Sequence, residues 1–318
     1  MGALTLRVGA RSSRLSQAQA GIVSSLLRTR FGDAIALEPV HVMTSGDRLR
    51  AAKRDPGQAG AKGAFTLDIE TLLLKGEIDI AVHSMKDLTS SPSEGLAIGA
   101  TPPRVDPRDA LITNKNGNTI KTLPKGAVVG TSSLRRKAQL LRLRPDLQVV
   151  ELHGNVDTRI RKVAGDQARQ AGDRGLDAIV LAVAGLERIG ESARISQKFS
   201  IDEMVPAIGQ GIIAVQMRQG DGEIAKILSG INDDVARVES ECERAFAQQM
   251  GADCNVPIGG CARVSGLKVK IVGMVSEEDG SGLRRRAVAG NRGDAAALGR
   301  KLAEELLEGA EALRGVAS

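Results

Sequence analysis

Short apolar runs with β-branched residues alternate with helix-spaced stretches along most of this chain, and that alternation confines it to the α/β class. LTLRVGA (4–10) reads as a strand, and Leu15, Ile22, Val23, Leu26 and Leu27 after it keep a helical period. LEPVHVM reads as a second strand, Phe65 to Leu74 as a helix and DIAVHS as a buried strand. The segment TPPRVDP (101–107) then breaks regular structure. A second set follows: AVVGTSS (127–133), a helix from Leu134, QVVELHG (148–154), a helix from Asn155, and DAIVLAVAG (177–185). From about Asn232 the pattern changes to a long amphipathic helix leading to Cys254, the strands VSGLKVKIVGMV and LRRRAVAG, and a last helix from Asp294. That is a smaller α+β unit, and 318 residues suit two or three domains. The polar, Gly- and Ala-rich stretch from Thr44 to Gly63 reads as a long mobile loop.

Several function classes are disfavoured. No apolar run reaches the roughly 20 residues of a membrane helix, and MGALTLRVGA has no leader-like pattern, so no membrane association is expected. Three cysteines, an odd number, point to reduced thiols and a cytoplasmic setting. The net charge of +6 is concentrated in RSSR, LRRK and TRIRK, yet the chain has no Trp, no Tyr and four Phe, so base-stacking platforms are scarce. Small acidic ligands fit better than nucleic acid. His41, His83 and His153 lack metal-ligand spacing, so no metal is expected. Neither a phosphate-binding glycine fingerprint nor a G-x-S-x-G elbow occurs.

Four strand-to-helix junctions carry similar residues: GARSSR (9–14), VHSMKD (82–87), GTSSLRR (130–136) and HGNVDTR (153–159). At the carboxyl ends of strands in an open α/β sheet, hydroxyls, helix-start amides and guanidiniums together cradle a carboxylate or phosphate. The plainer reading makes Ser and Asn helix caps. Arginine beside a positive helix start is nevertheless unfavourable without an anion. The pattern therefore suggests a polycarboxylate held in an arginine-lined cleft between domains. Asp87 reads either as a surface partner of Lys86 or as a carboxylate that stabilises positive charge and moves protons. Cys254, in GADCNVPIGGCA, reads either as an inert small residue or as a reactive thiol, whereas Cys242 and Cys261 read as packing residues.

AVHSMKDL, GTSSLRRKAQL, GNVDTR, DAIVLAVAGLERIG, PAIGQG and DCNVPIG, in that order over nearly the whole chain, resemble the porphobilinogen deaminases, or hydroxymethylbilane synthases. The resemblance implies two lobes like those of type 2 periplasmic binding proteins plus a smaller C-terminal α+β domain. Domain 1 would be 1–103 and 201–224, domain 2 104–200, and domain 3 225–318. It implies a transferase of tetrapyrrole (haem) biosynthesis that joins four porphobilinogen molecules head to tail, releases ammonia and gives 1-hydroxymethylbilane. It implies a dipyrromethane cofactor bound to Cys254 by a thioether, and Asp87 as the catalytic carboxylate. Ser84, Lys86, Ser133, Arg135, Arg136, His153, Arg159 and Arg188 match cofactor positions, and Arg11, Ser13, Lys62, Arg159 and Arg188 match substrate positions. A cytoplasmic monomer without nucleic-acid partners is expected. Two departures stand out: His153 replaces the usual arginine before GNV, and Gln58 replaces a lysine in the loop, where GAKGAF stands for GGKGLF. The competing readings are a non-catalytic two-lobed binder, which needs neither Asp87 nor Cys254, and an RNA-binding module.

Overall fold

The computed structural model describes residues 4–44, 66–91, 93–114, 117–163, 175–251 and 257–314. Most of the loop expected from Thr44 to Gly63, with Gln58 and Lys62, lies outside them, as does Cys254. In chain order the first elements are β1 (Leu4–Arg11), α1 (Arg14–Phe31), β2 (Ile35–Val42), α2 (Leu67–Leu74), β3 (Ile80–Ser84) and β4 (Leu96–Ala100). Next come β5 (Asp109–Thr113), β6 (Val128–Gly130), α3 (Leu134–Leu143), β7 (Gln148–Val150), α4 (Val156–Val163), β8 (Ala178–Ala182), α5 (Val183–Arg188) and β9 (Gln197–Lys198). The chain continues through β10 (Ile213–Arg218), α6 (Gly222–Ser229) and α7 (Asp234–Gln249). It closes with β11 (Ile258–Ser265), β12 (Lys268–Val275), β13 (Arg284–Asn291) and α8 (Ala295–Arg314).

Two compact units result, one made of Met1–Val105 with Gly211–Arg237, the other of Asp106–Gln210 with Val238–Ser318. In the first, the sheet order is β2-β1-β3-β10-β4. β1 runs parallel to β2 and β3, and β10 lies antiparallel between β3 and β4. In the second, the order is β7-β6-β8-β5-β9, with β6 parallel to β7 and β8, and β5 antiparallel to β8 and β9. Each sheet thus has four strands running one way and a single reversed strand, β10 in the first and β5 in the second, set between the third and the fourth of them. This is the plan expected of type 2 periplasmic-binding-protein-like lobes.

Leu6, Val8 and Ala10 alternate along β1 and bury against Ala20, Val23 and Leu27 of α1. Leu6, Val8, Val23 and Leu27 each contribute roughly 1.5–3 kcal/mol when fully buried. β3 is buried over its first four residues, as expected of a central strand with both faces covered. The reversed strands β5 and β10 were not anticipated from sequence. β5 opens on the charged Asp109, which disguises a wholly buried strand. The third sheet, β11-β12-β13, is antiparallel. Its core joins Ile271 to Cys242 and Phe246 of α7 and Leu302 and Leu306 of α8. Among the described residues no helix is long and apolar enough to cross a membrane.

Candidate functional site

In the first unit the sequence-predicted residues cluster at the ends of β1 and β3. Ser13 caps α1, accepting from the Ser16 amide at 3.3 Å and donating to Ser16 Oγ at 2.9 Å. Gln17 Nε2 ties back to the Arg11 carbonyl at 2.6 Å, fixing the turn. At the end of β3 the buried Gln19 donates to Ser84 Oγ at 2.8 Å. The chain then makes one 3-10 turn, Met85–Asp87. Met85 and Leu88 are buried on either side, and the Met85 amide donates to the Ile212 carbonyl at 3.0 Å. Between these anchors Asp87 is exposed, and among the described residues its carboxylate has no hydrogen-bond or ion-pair partner. Lys86 beside it is half-buried.

His83, one residue before Ser84, is the opposite case. It is buried, and its Nε2 has no hydrogen-bond partner among the described residues. Burial lowers its pKa to about 4, against an opposing contribution from Gln216 and with a further push from the Arg11 charge. Gln216 is itself held by Glu70 at 2.9 Å, and Glu70 by Ser93 at 2.8 Å.

In the second unit Ser133 caps α3 by accepting from the Arg136 amide at 3.4 Å. Arg135 and Arg136 turn inward to Asp109, which is 0% exposed. Arg135 Nη1 donates to Asp109 Oδ2 at 2.8 Å and to the Val205 carbonyl at 2.6 Å. Arg136 donates to Asp109 Oδ1 through Nε at 3.0 Å and Nη2 at 2.7 Å, and to the Val180 carbonyl through Nη1 at 2.9 Å. Gln210 Nε2 adds a bond to Asp109 Oδ1 at 3.1 Å. Burial alone would raise the Asp109 pKa, but Arg135 and Arg136 hold it far below the carboxylate range. The protein itself therefore supplies one anion, Asp109, to the two arginines at this helix start. Nothing in the sequence signalled Asp109, because its partners lie 26 and 27 residues away.

Arg135 keeps donors in reserve. Among the described residues all its hydrogen bonds leave through Nη1, so Nε and Nη2 remain for a ligand anion. Arg159 stands half-buried in the first turn of α4, after Gly154 at φ 120°. A side chain at that glycine would meet Thr158 Cγ2 at 2.9 Å, so the tight entry to α4 requires glycine. Arg188 ends α5, and burial lowers its pKa to about 10 against the pull of Glu187. His153 pairs Nε2 with Glu151 Oε2 at 2.9 Å, and Lys162 donates to its carbonyl at 3.3 Å. The departure from arginine thus has an acidic neighbour.

Cys254 lies outside the described residues, but the strand that leaves its loop does not. A Cβ at Gly259 would sit 2.9 Å from the Val205 carbonyl, 3.0 Å from that of Pro206 and 3.2 Å from Arg135 Cδ. Glu243 accepts from the Gly209 amide at 2.6 Å and the Ala262 amide at 2.7 Å, binding PAIGQG to the same strand. Cys242 and Cys261 are buried, and burial pushes the Cys242 thiol up to about 12. Both belong to the interior, as the sequence suggested. Taken unit by unit, the hydroxyls, ammonium and exposed carboxylate of the first and the hydroxyl and guanidiniums of the second are the kinds of group that suit a dipyrromethane carrying several carboxylates.

Two family models match the chain. One, described as "Porphobilinogen deaminase, dipyromethane cofactor binding domain", matches residues 6–226, and "Porphobilinogen deaminase, C-terminal domain" matches 238–308. A porphobilinogen deaminase of Roseiflexus sp. (strain RS-1) is 42% identical over 305 residues, 96% of each chain. That of Pelotomaculum thermopropionicum is 43% identical over 303 residues, 95% of this chain and 93% of that protein. Among solved structures, the Bordetella pertussis BvgS periplasmic VFT2 domain aligns at a TM-score of 0.40 and 16% identity, covering 72% of this chain and 86% of that one.

Proposed function

The chain belongs to the porphobilinogen deaminase family, and from that premise we propose how its own residues carry the family's reaction. It is a transferase, a hydroxymethylbilane synthase, that joins four porphobilinogen molecules head to tail with release of ammonia, in tetrapyrrole biosynthesis. Its cofactor is dipyrromethane, which when bound supplies the pyrrole terminus to which each new unit is joined.

Asp87 is the catalytic carboxylate. The observation that carries this role is its exposure at the end of a turn anchored by the buried Met85, which opens it, and the buried Leu88, which follows it. So placed, the carboxylate has a fixed position, and it stabilises positive charge developing on pyrrole nitrogens while moving a proton. Lys86, Arg135, Arg159 and Arg188 bind acetate and propionate side chains, whereas Arg136, a matched cofactor position, directs its three nitrogens at Asp109 and the Val180 carbonyl and supports the site from behind. Arg11, Ser13 and Lys62 bind the acetate and propionate side chains of substrate. Ser84 is oriented by Gln19, and Ser133 accepts at its helix start, which leaves a hydroxyl proton to donate. Cys254 is the attachment residue. Support for it comes from the interior positions of Cys242 and Cys261 and from the approach of β11 to Arg135. Three domains, 1–103 with 201–224, 104–200 and 225–318, accord with three separate sheets. The protein acts as a cytoplasmic monomer on porphobilinogen, without nucleic acid.

Intact mass of the denatured protein after exposure to porphobilinogen tests this reading. Wild type, Cys242→Ala and Cys261→Ala should carry the adduct, and Cys254→Ala none. Asp87→Asn should keep the adduct but lose turnover by about a hundredfold to a thousandfold. An adduct on Cys254→Ala would remove the attachment site, and near-normal turnover in Asp87→Asn would remove the catalytic one.

A further inference from the structure

Asp109 lies outside every motif that pointed to this family, yet it is the only carboxylate that Arg135 and Arg136 meet among their hydrogen-bond partners. A buried ion cluster is a costly way to stabilise a core, since apolar residues of similar volume often do as well or better. This cluster is also unbalanced: two guanidiniums face one carboxylate, and the remaining partners, Gln210 and the Val180 and Val205 carbonyls, are neutral. An uncompensated positive charge is left at the start of α3, where the helix dipole is positive as well. The unused donors Nε and Nη2 belong to Arg135. Its Cδ lies against Gly259, five residues beyond Cys254 in the chain.

We propose that Asp109 is a positioning residue of the cofactor site, holding Arg135 by Nη1 so that Nε and Nη2 meet a carboxylate of the cofactor. The proposal rests on the reading that Arg135 binds dipyrromethane. Gripped at Nη1 by Asp109 and the Val205 carbonyl, the planar guanidinium cannot rotate, so the direction of its other two nitrogens is fixed before the ligand arrives. Arg136 shares the same carboxylate from the far side and keeps it from tilting toward Arg135. The carboxylate of the incoming group then completes the charge balance that Asp109 leaves open by one.

The test uses the full apo chain, produced without porphobilinogen. The rate of adduct formation is followed by intact mass after porphobilinogen is added, and the urea midpoint of the apo chain is measured in parallel. Two variants are compared with wild type. Asp109→Asn removes the charge. Asp109→Asn with Gln210→Glu returns one carboxylate to the same neighbourhood from the Gln210 side, so the charge of the cluster equals that of wild type. If Asp109 only balances charge, the double variant recovers both the midpoint and the adduct rate. If it positions Arg135, the midpoint recovers while adduct formation stays about tenfold to a hundredfold slower than wild type, the scale expected for a misplaced binding group. Wild-type adduct rates in either variant would overturn the proposal. A wild-type chain that forms no adduct at all would overturn the underlying cofactor reading, and this proposal with it.

Discussion

His83 and Asp87 are four residues apart, yet packing gives them opposite chemistry. The strand carries His83 into a space where burial disfavours its charged form, while the turn after it lifts Asp87 into solvent. The histidine makes stability depend on pH with a definite sign. Its folded pKa of about 4 lies below its ordinary value of 6.5. Between those values the unfolded chain binds a proton that the folded chain refuses, so stability falls as pH drops from about 6.5 to about 4 and the loss levels off below that. The full loss is roughly 3 kcal/mol. Urea unfolding at pH 7 and pH 4.5 should therefore show wild type losing about 2–3 kcal/mol more than His83→Gln over that interval. Parallel pH profiles for the two proteins would mean that the imidazole is not the group responsible. His153, paired with the exposed Glu151, was legible as a departure from the family pattern, but its partner two residues away was not.

Among the elements, two helical glycines separate what sequence can tell from what it cannot. Helix propensity says that Gly→Ala at either should stabilise by about 1 kcal/mol. Gly21 in α1 has no atom within 4 Å of a built Cβ, and there the rule should hold. At Gly299 in α8 a Cβ would collide with the Cys242 carbonyl and come within 2.8 Å of the Phe246 amide nitrogen, because α8 crosses α7 backbone to backbone at that point. Alanine there must push the two helices apart, at about 1–3 kcal/mol. Urea unfolding should show Gly21→Ala more stable and Gly299→Ala less stable than wild type; equal shifts of one sign would refute the close helix contact. The junctions repeat this lesson. The caps at Ser13 and Ser133 were readable from the sequence, since a cap needs only its own next turn. That Arg135 and Arg136 turn inward was not, because Asp109 reaches them from β5.

For the molecule as a whole, a net charge of +6 acts on a substrate that carries carboxylates. Surface charge draws such a substrate in, and salt screens that attraction within roughly 10 Å at 0.1 M, while buried arginines are screened much less. Raising ionic strength from about 0.05 M to about 0.5 M should raise KM for porphobilinogen by roughly threefold to tenfold and change kcat much less. Steady-state rates at several salt concentrations decide it, and a fall in kcat at constant KM would contradict the steering argument. At this scale the α/β class, the change of pattern near Asn232, the helix caps and the motifs that identify the family can all be read from the order of residues. Each of these is written in neighbouring residues, through periodicity, capping chemistry or short runs of side chains. The tertiary structure alone decided that β5 and β10 enter their sheets reversed, that His83 is buried while Asp87 is exposed, and that Asp109 holds two arginines at once. Those outcomes depend on contacts between residues far apart in the chain, whose free energy comes from burial and charge pairing that no local pattern records.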